Sequence, residues 1–235
     1  VAVLLSHLQA VADDWLGRGL PSPADAVRDA GFAPDRPWSW CARCGGRPHG
    51  AGSRSGARCP DRSPSAPECV VRVGAHDGAL RSWVVDAKHA AWEPMAEALG
   101  ALLGRQLLRC GAVERGDPCS VVVAVPSPWM RSLARGIDHA AVLARAAARE
   151  SHLPVVRPLR QRHGGTQVES SMRSERLARA ERFALRRGAA CHVAGRHVVL
   201  VDDVRTTGAT LEAASRELRR AGAARVTAAV VSVRE

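Results

Sequence analysis

The sequence predicts an α/β protein with a mainly parallel sheet flanked by helices, preceded by a small module held by something other than apolar burial. Three observations predict it. Short β-branched runs alternate with helical patterns through residues 73–235, and one of those runs ends in paired aspartates followed by a threonine-rich turn. Residues 38–72, in contrast, crowd four cysteines into a stretch with scarcely an aliphatic side chain.

At 235 residues, 46% hydrophobic and 24% charged, the chain suits one large domain with a small appendage. No apolar run approaches the roughly 20 residues that span a bilayer. The opening VAVLLSHLQAVADDW reads as an amphipathic helix rather than a secretory signal, so a cytoplasmic protein without membrane insertion is expected. The formal charge of +11 is carried by arginine, because Lys88 is the single lysine among 34 basic residues. Such a balance favours phosphorylated or polyanionic partners, and an arginine-preferring base composition accounts for the bias equally well. From Arg131 to Arg187, 13 arginines stand against 5 acids, which concentrates the excess in the middle of the chain.

Residues 1–37 read as a helical leader of unclear role, later punctuated by Pro21, Pro23, Pro34 and Pro37. Residues 38–72 contain WSWCARCGGRPHGAGSRSGARCPDRSPSAPEC, which offers no hydrophobic core. Its CxxC, Cys41 and Cys44 with Gly45 behind them, has the form of a zinc knuckle, in which two thiolates converge on a tetrahedral metal and glycine permits the turn. Cys59 and Cys69 complete the expected ligand set, with His49 as an alternative to one of them. Disulfides are not expected in a chain read as cytosolic, and structural zinc explains how so polar a segment folds. Cys110, Cys119 and Cys191 are isolated and expected to pack.

In residues 73–235 the run Pro94–Leu108 spaces Met95, Leu99, Leu102, Leu103 and Leu107 as one helix face. SVVVAVP (Ser120–Pro126) reads as a buried parallel strand, followed by a helix from about Asp138 to Glu150 and a strand over Leu153–Val156. HVVLV (His197–Val201), a helix from about Ala209 to Ala221 and the strand RVTAAVVSV continue the alternation. Right-handed crossovers follow from it.

Ligands of such sheets bind beyond the carboxyl ends of the strands. Asp202 and Asp203 stand there in VVLVDDVRTTGATL. Adjacent carboxylates on extended backbone can accept hydrogen bonds from hydroxyls or share in holding a hydrated Mg²⁺. Thr206, Thr207, Gly208, Ala209 and Thr210 then supply hydroxyls, a permissive glycine and N–H groups just before a helix, which suits a phosphate. Carboxylates for a diol beside a nest for a phosphate describe a ribose 5-phosphate site.

The stretch VVLVDDVRTTGATL resembles the phosphoribosyl-pyrophosphate (PRPP) loop of type I phosphoribosyltransferases. With the cysteine-rich segment ahead of it, the chain resembles the ComF family of competence-associated proteins, GntX-like members included. GALRSWVVDAKHAAW, with Lys88 at the position of the family's lysine, adds to the likeness, as does VAVPSPWMRSLARGIDHAAVLA with Arg135 and Gly136. So do Gln167, the arginines after it and Phe183. The resemblance implies a type I phosphoribosyltransferase-like fold over 73–235 with a zinc-ribbon-like module over 38–72. It implies PRPP or a nucleotide-like ligand bound with Mg²⁺, Asp202 and Asp203 on the ribose hydroxyls, and Thr206, Thr207, Gly208, Ala209 and Thr210 around the 5-phosphate. Ser127, Arg131 and Arg135 would face the leaving pyrophosphate, and Cys41, Cys44, Cys59 and Cys69 would hold zinc. The implied activity is transfer of phosphoribose to an acceptor that the sequence does not name, with Asp202, Asp203 and Arg135 as its catalytic residues.

The chain departs from the family at Asp138 and His139, where asparagine and glutamine are more usual, and in lacking the asparagine shortly before Phe183. Asp138 so placed would add negative charge near a polyanion. Two non-catalytic readings stay open, a PRPP sensor and a DNA-handling factor that binds single-stranded DNA within the DNA-uptake machinery. The second would use the arginines of RPLRQRHGGTQVESSMRSERLARAERFALRR, with Trp83, Trp92 and Trp129 as stacking surfaces. The same segment could close over substrate on Gly164 and Gly165 as hinges.

Overall fold

Aliphatic runs too short for helices and flanked by turn residues form the central sheet of the computed structural model, which describes residues 22–49, 59, 63–88, 93–127, 137–162 and 182–235. Its strands are β1 (Cys69–Ala75), β2 (Ser120–Ala124), β3 (Val155–Val156), β6 (His197–Arg205) and β7 (Arg225–Val233). They pair in the order β1-β7-β6-β2-β3, every pair parallel. A separate antiparallel pair joins β4 (Leu159–Gln161) to β5 (Phe183–Leu185). The helices are α1 (Pro23–Asp29), α2 (Gly78–Asp86), α3 (Glu93–Arg109), α4 (His139–Ser151) and α5 (Ala209–Arg220).

From β2 the chain crosses through α4 to β3 on one side, and from β6 it crosses through α5 to β7 on the other. The direction of winding therefore reverses between β2 and β6, and at such a point a crevice opens beyond the strand ends.

Alternation along β6 divides the core. Val199 and Val201 join a cluster with Leu99, Leu103 and Leu143, whereas Val198 and Leu200 join Phe183, Leu211 and Leu218. Each face of the sheet is thus covered by its own helices, as a parallel sheet requires. Helices α3 and α4 approach so closely that a Cβ on Gly100 would lie 2.6 Å from the Leu143 carbonyl, and one on Gly104 2.6 Å from that of Ala147.

The helix and strand bounds expected around α3, β2, α4, α5 and β7 agree with those observed to within a few residues. Strand β6 is longer than HVVLV: its ladder to β7 continues to Arg205, so the aspartates lie inside the strand rather than after it. On its other side, pairing with β2 stops at Val201. Asp202 and Asp203 therefore follow the point where one edge of β6 becomes free.

Buried Arg72 in β1 ties distant segments together, donating to Asp35 at 2.8 Å, to Glu235 at 2.7 Å and to the Gly45 carbonyl at 2.8 Å. Trp83, weighed as a stacking surface, is packed instead against the core, with Phe32 edge-on at 5.3 Å. Cys110 is buried as expected, but Cys119, in the turn before β2, and Cys191, in a short 3-10 helix (Ala189–His192) ahead of β6, are exposed. The leader helix over residues 1–20, Trp92, Trp129, Arg131, Arg135, Gly136, Gly164, Gly165 and Gln167 lie outside the described residues. Among the described residues, no helix is long and apolar enough to cross a membrane.

Candidate functional site

The aspartate pair occupies the crevice side of β6, and its two carboxylates meet different surroundings. Asp203 Oδ2 lies 2.9 Å from Lys88 Nζ and 3.3 Å from His139 Nε2. Its Oδ1 accepts the Val204 N–H at 2.7 Å. Asp202 Oδ1 accepts the Asp203 N–H at 2.9 Å. Burial and the adjacent Asp203 charge push the Asp202 carboxyl well above the usual carboxylate range. Burial opposes charge at Asp203 too, but the His139 hydrogen bond and Lys88 outweigh it and hold that carboxyl below the usual range. Asp203 is the charged member, and Asp202 keeps its proton to higher pH.

Three elements deliver these groups. Lys88 follows α2, where a cation is favoured at a helix C-terminus, and that helix is anchored by buried Leu80 and Val84. His139 is the first residue of α4. Asp138 caps the same helix, accepting the Ala141 N–H at 3.3 Å. The negative charge expected to trouble the pyrophosphate side is thus turned to a helix cap. Nearby, His76 Nδ1 lies 2.8 Å from Ser232 Oγ. Burial, together with Arg234, Lys88 and Arg81, lowers its pKa.

The expected phosphate turn runs directly from β6 into α5. Gly208 holds φ +81°, a conformation that calls for glycine, with the movable Arg205 guanidinium beside it. Thr207 Oγ1 accepts the Ala209 N–H at 3.4 Å, and Thr210 Oγ1 accepts from Arg182 Nη1 at 3.0 Å. Thr206, Thr207, Gly208, Ala209 and Thr210 thus form the entry to α5, with Arg182 and Arg205 beside it. Ser127 follows β2 on the same edge of the sheet. Arg182 and His139 are the residues that sequence reasoning missed here. Only the arginine-rich run and the departure from the family at 139 signalled them.

The CxxC turn is built as its glycine suggests. Gly45 N–H donates to the Cys41 carbonyl at 2.7 Å, and Gly45 sits at φ +73° against Val70. The ligand atoms of Cys41, Cys44, His49 and Cys59 all lie within 4.8 Å of one another. Three sulfurs and an imidazole are the donor set zinc accepts, and a tetrahedral ion needs them about 3.5–3.8 Å apart. Cys44 Sγ and His49 Nε2 stand at 3.4 Å, so these residues could hold such a metal. Burial pushes the Cys44 thiol up to about 12, whereas at Cys41 burial is outweighed by the Cys44 and Arg43 N–H groups and the pKa falls.

His49, the alternative expected for one of the cysteines, stands in this group, and Cys69 stands apart from it. Cys69 opens β1 in register with Thr227, its Sγ 3.4 Å from Thr227 Oγ1, and strand pairing keeps it out of the group that His49 completes.

The segment after Cys59 docks on α5. Ser63 Oγ donates to Glu212 at 2.5 Å, Arg216 Nε to Ser65 Oγ at 3.2 Å, and Arg219 Nη1 to the Pro64 carbonyl at 2.5 Å. Arg43, between Cys41 and Cys44, donates to the Ser63 carbonyl at 3.2 Å. A narrow recess bounded by Arg43, Pro67, Arg205, Thr207 and Gly208 joins the two regions. Ser63, Pro64 and Ser65, after Cys59, and the expected phosphate turn thus share one helix.

Residues 129–234 match the family described as the phosphoribosyl transferase domain. The curated proteins contain no match to the chain. Among solved structures, the chain is similar to the allosteric regulatory enzyme of purine biosynthesis, at 25% identity and a TM-score of 0.40 over 58% of this chain. It spans 26% of that protein's length.

Proposed function

We propose that the chain, with a phosphoribosyl transferase domain over residues 129–234, binds PRPP or a related phosphoribosyl ligand and transfers phosphoribose to an acceptor, releasing pyrophosphate. The observation that carries this reading is the aspartate pair on the free edge of β6, followed without interruption by a glycine-hinged turn into α5. Asp202 and Asp203 accept hydrogen bonds from the ribose hydroxyls. The N–H groups and hydroxyls of Thr206, Thr207, Gly208, Ala209 and Thr210 donate to the 5-phosphate. The backbone at Ser127 and the Arg135 guanidinium receive the pyrophosphate, for which a planar bidentate donor is suited.

The adjacent hard carboxylate oxygens fit a ligand that arrives with Mg²⁺, which offsets the charge of the diphosphate when bound. At C1 of the ribose the bond to pyrophosphate breaks, its electron pair leaves with the pyrophosphate, and the acceptor's nucleophile bonds to the same carbon. The chain's own work is to hold both reactants in line and to stabilise the departing anion.

The cysteine and histidine group ahead of this domain supports a ComF-like assignment, with structural zinc on Cys41, Cys44, His49 and Cys59 in a module over residues 38–72 and a cytoplasmic location. Pyrophosphate release from PRPP and Mg²⁺ across a panel of nucleobases and small amines tests the reading. Release by wild type should fall by about two orders of magnitude in Asp202→Asn/Asp203→Asn. Release that is indifferent to both aspartates would contradict it.

A further inference from the structure

We infer that Lys88 and His139 are positioning residues of the phosphoribosyl site: together they clamp Asp203 and so fix the orientation in which the aspartate pair meets the ligand. The inference rests on the reading of the loop just given. Both groups converge on one oxygen, Asp203 Oδ2, at 2.9 and 3.3 Å, while the other oxygen takes the Val204 N–H at 2.7 Å. Asp202 has no cation at ion-pair distance among the described residues; it accepts the Asp203 N–H, and its side chain also meets that of Asp203. A carboxylate held by an ammonium, an imidazole and a backbone N–H keeps one orientation, and that orientation fixes the neighbouring Asp202 carboxyl with it.

Two further observations single out the clamp. The chain uses arginine at every basic position but one, and its single lysine is the residue on Asp203. A compact ammonium can share one carboxylate oxygen with an imidazole. A guanidinium is wide and planar, presents a fork of donors and would displace the histidine. His139, for its part, is 7% exposed, and its Nδ1 is buried without a hydrogen-bond partner among the described residues. Burying an orphaned nitrogen works against stability, so the ring is accounted for by what its Nε2 does at Asp203. The contact is made across elements remote in sequence, α2, α4 and β6, that meet at the crevice.

The test is calorimetric titration of PRPP with Mg²⁺ into wild type, Lys88→Met, Lys88→Arg, His139→Ala, His139→Gln and Asp203→Asn, with Lys88→Met/Asp203→Asn closing a double-mutant cycle. Lys88→Met, Lys88→Arg and His139→Ala should each weaken binding about tenfold or more. His139→Gln should restore it to within about threefold, because an amide N–H can take the place of Nε2–H; a merely structural histidine would show no such rescue. In the Asp203→Asn background the loss from Lys88→Met should shrink towards nothing. If wild type binds and Lys88→Met and His139→Ala bind equally well, or the losses multiply independently of Asp203, the clamp is wrong and the functional reading stands. A wild type that binds no PRPP overturns both. Reductive ¹³C-methylation supplies a readout that needs no ligand: Lys88 is the single lysine to be labelled, and its methyl resonance should move in Asp203→Asn. An unmoved resonance would count against the ion pair itself.

Discussion

At Asp202 and Asp203, neighbouring residues of one strand differ because a lysine, a histidine and an amide all choose the second. The same local logic yields other single-residue expectations. Gly208→Ala puts a Cβ on backbone at φ +81°; the conformational strain, about 1 kcal/mol or more, should appear as weakened binding of the 5-phosphate, read by calorimetry with ribose 5-phosphate. At the opposite end of the sheet, buried His197 places Nδ1 3.0 Å from Arg225 and Nε2 2.8 Å from Thr227 Oγ1. Burial, then Arg225, lowers its pKa to about 4. An unfolded histidine takes up its proton near pH 6.5, so the unfolded chain binds the extra proton between those values. Stability from this group is complete above about pH 6.5 and is lost as pH falls towards 4, by about 2 kcal/mol after allowance for screening. Urea denaturation of wild type against His197→Gln should show that slope in wild type alone.

Among the elements, the pair α3 and α4 makes the sharpest demand on side-chain size. Alanine at Gly100 or Gly104 would gain helix propensity, but its Cβ would meet backbone carbonyls at 2.6 Å. The clash should win, costing about 1–3 kcal/mol in denaturant midpoint. The apolar face of α3 could be read from Met95, Leu99 and Leu103, because helical period is a local property. Which helix its glycines approach could not, since that partner begins at residue 139. Strand β1 was hidden by Arg72 and Gly74 within CVVRVGA. Arg72 is tolerable in a central position only because Asp35 and Glu235, remote in sequence, neutralise it. The three-residue strands β4 and β5 lie near the two ends of the arginine-rich run and are too short for any period to register. In the candidate site the loop from Asp202 to Thr210 was legible as a continuous motif. His139 on Asp203 was not, and His49 was legible only as an alternative to one of two cysteines, because each depends on where other strands and turns bring a side chain.

Taken as a whole, the molecule docks Ser63, Pro64 and Ser65, which follow Cys59, on the helix that the expected phosphate turn enters. Ser63 and Arg216 hold Glu212, in the first turn of α5, where a free carboxylate would oppose a bound phosphate. The cysteine and histidine segment should therefore support the proposed ligand site as well as itself. Elemental analysis should find one zinc per chain in purified protein and none in Cys41→Ser, whose melting temperature should fall together with its affinity for ribose 5-phosphate; unchanged affinity would separate the two regions. The central claim is that the aspartates of β6 and the turn behind them bind phosphoribose. A thermal-shift titration with PRPP and Mg²⁺ on wild type and Asp202→Asn/Asp203→Asn tests it most directly. Wild type should melt at progressively higher temperature as the ligand rises, and the variant should not. No shift in wild type, or an equal shift in both, would contradict the claim.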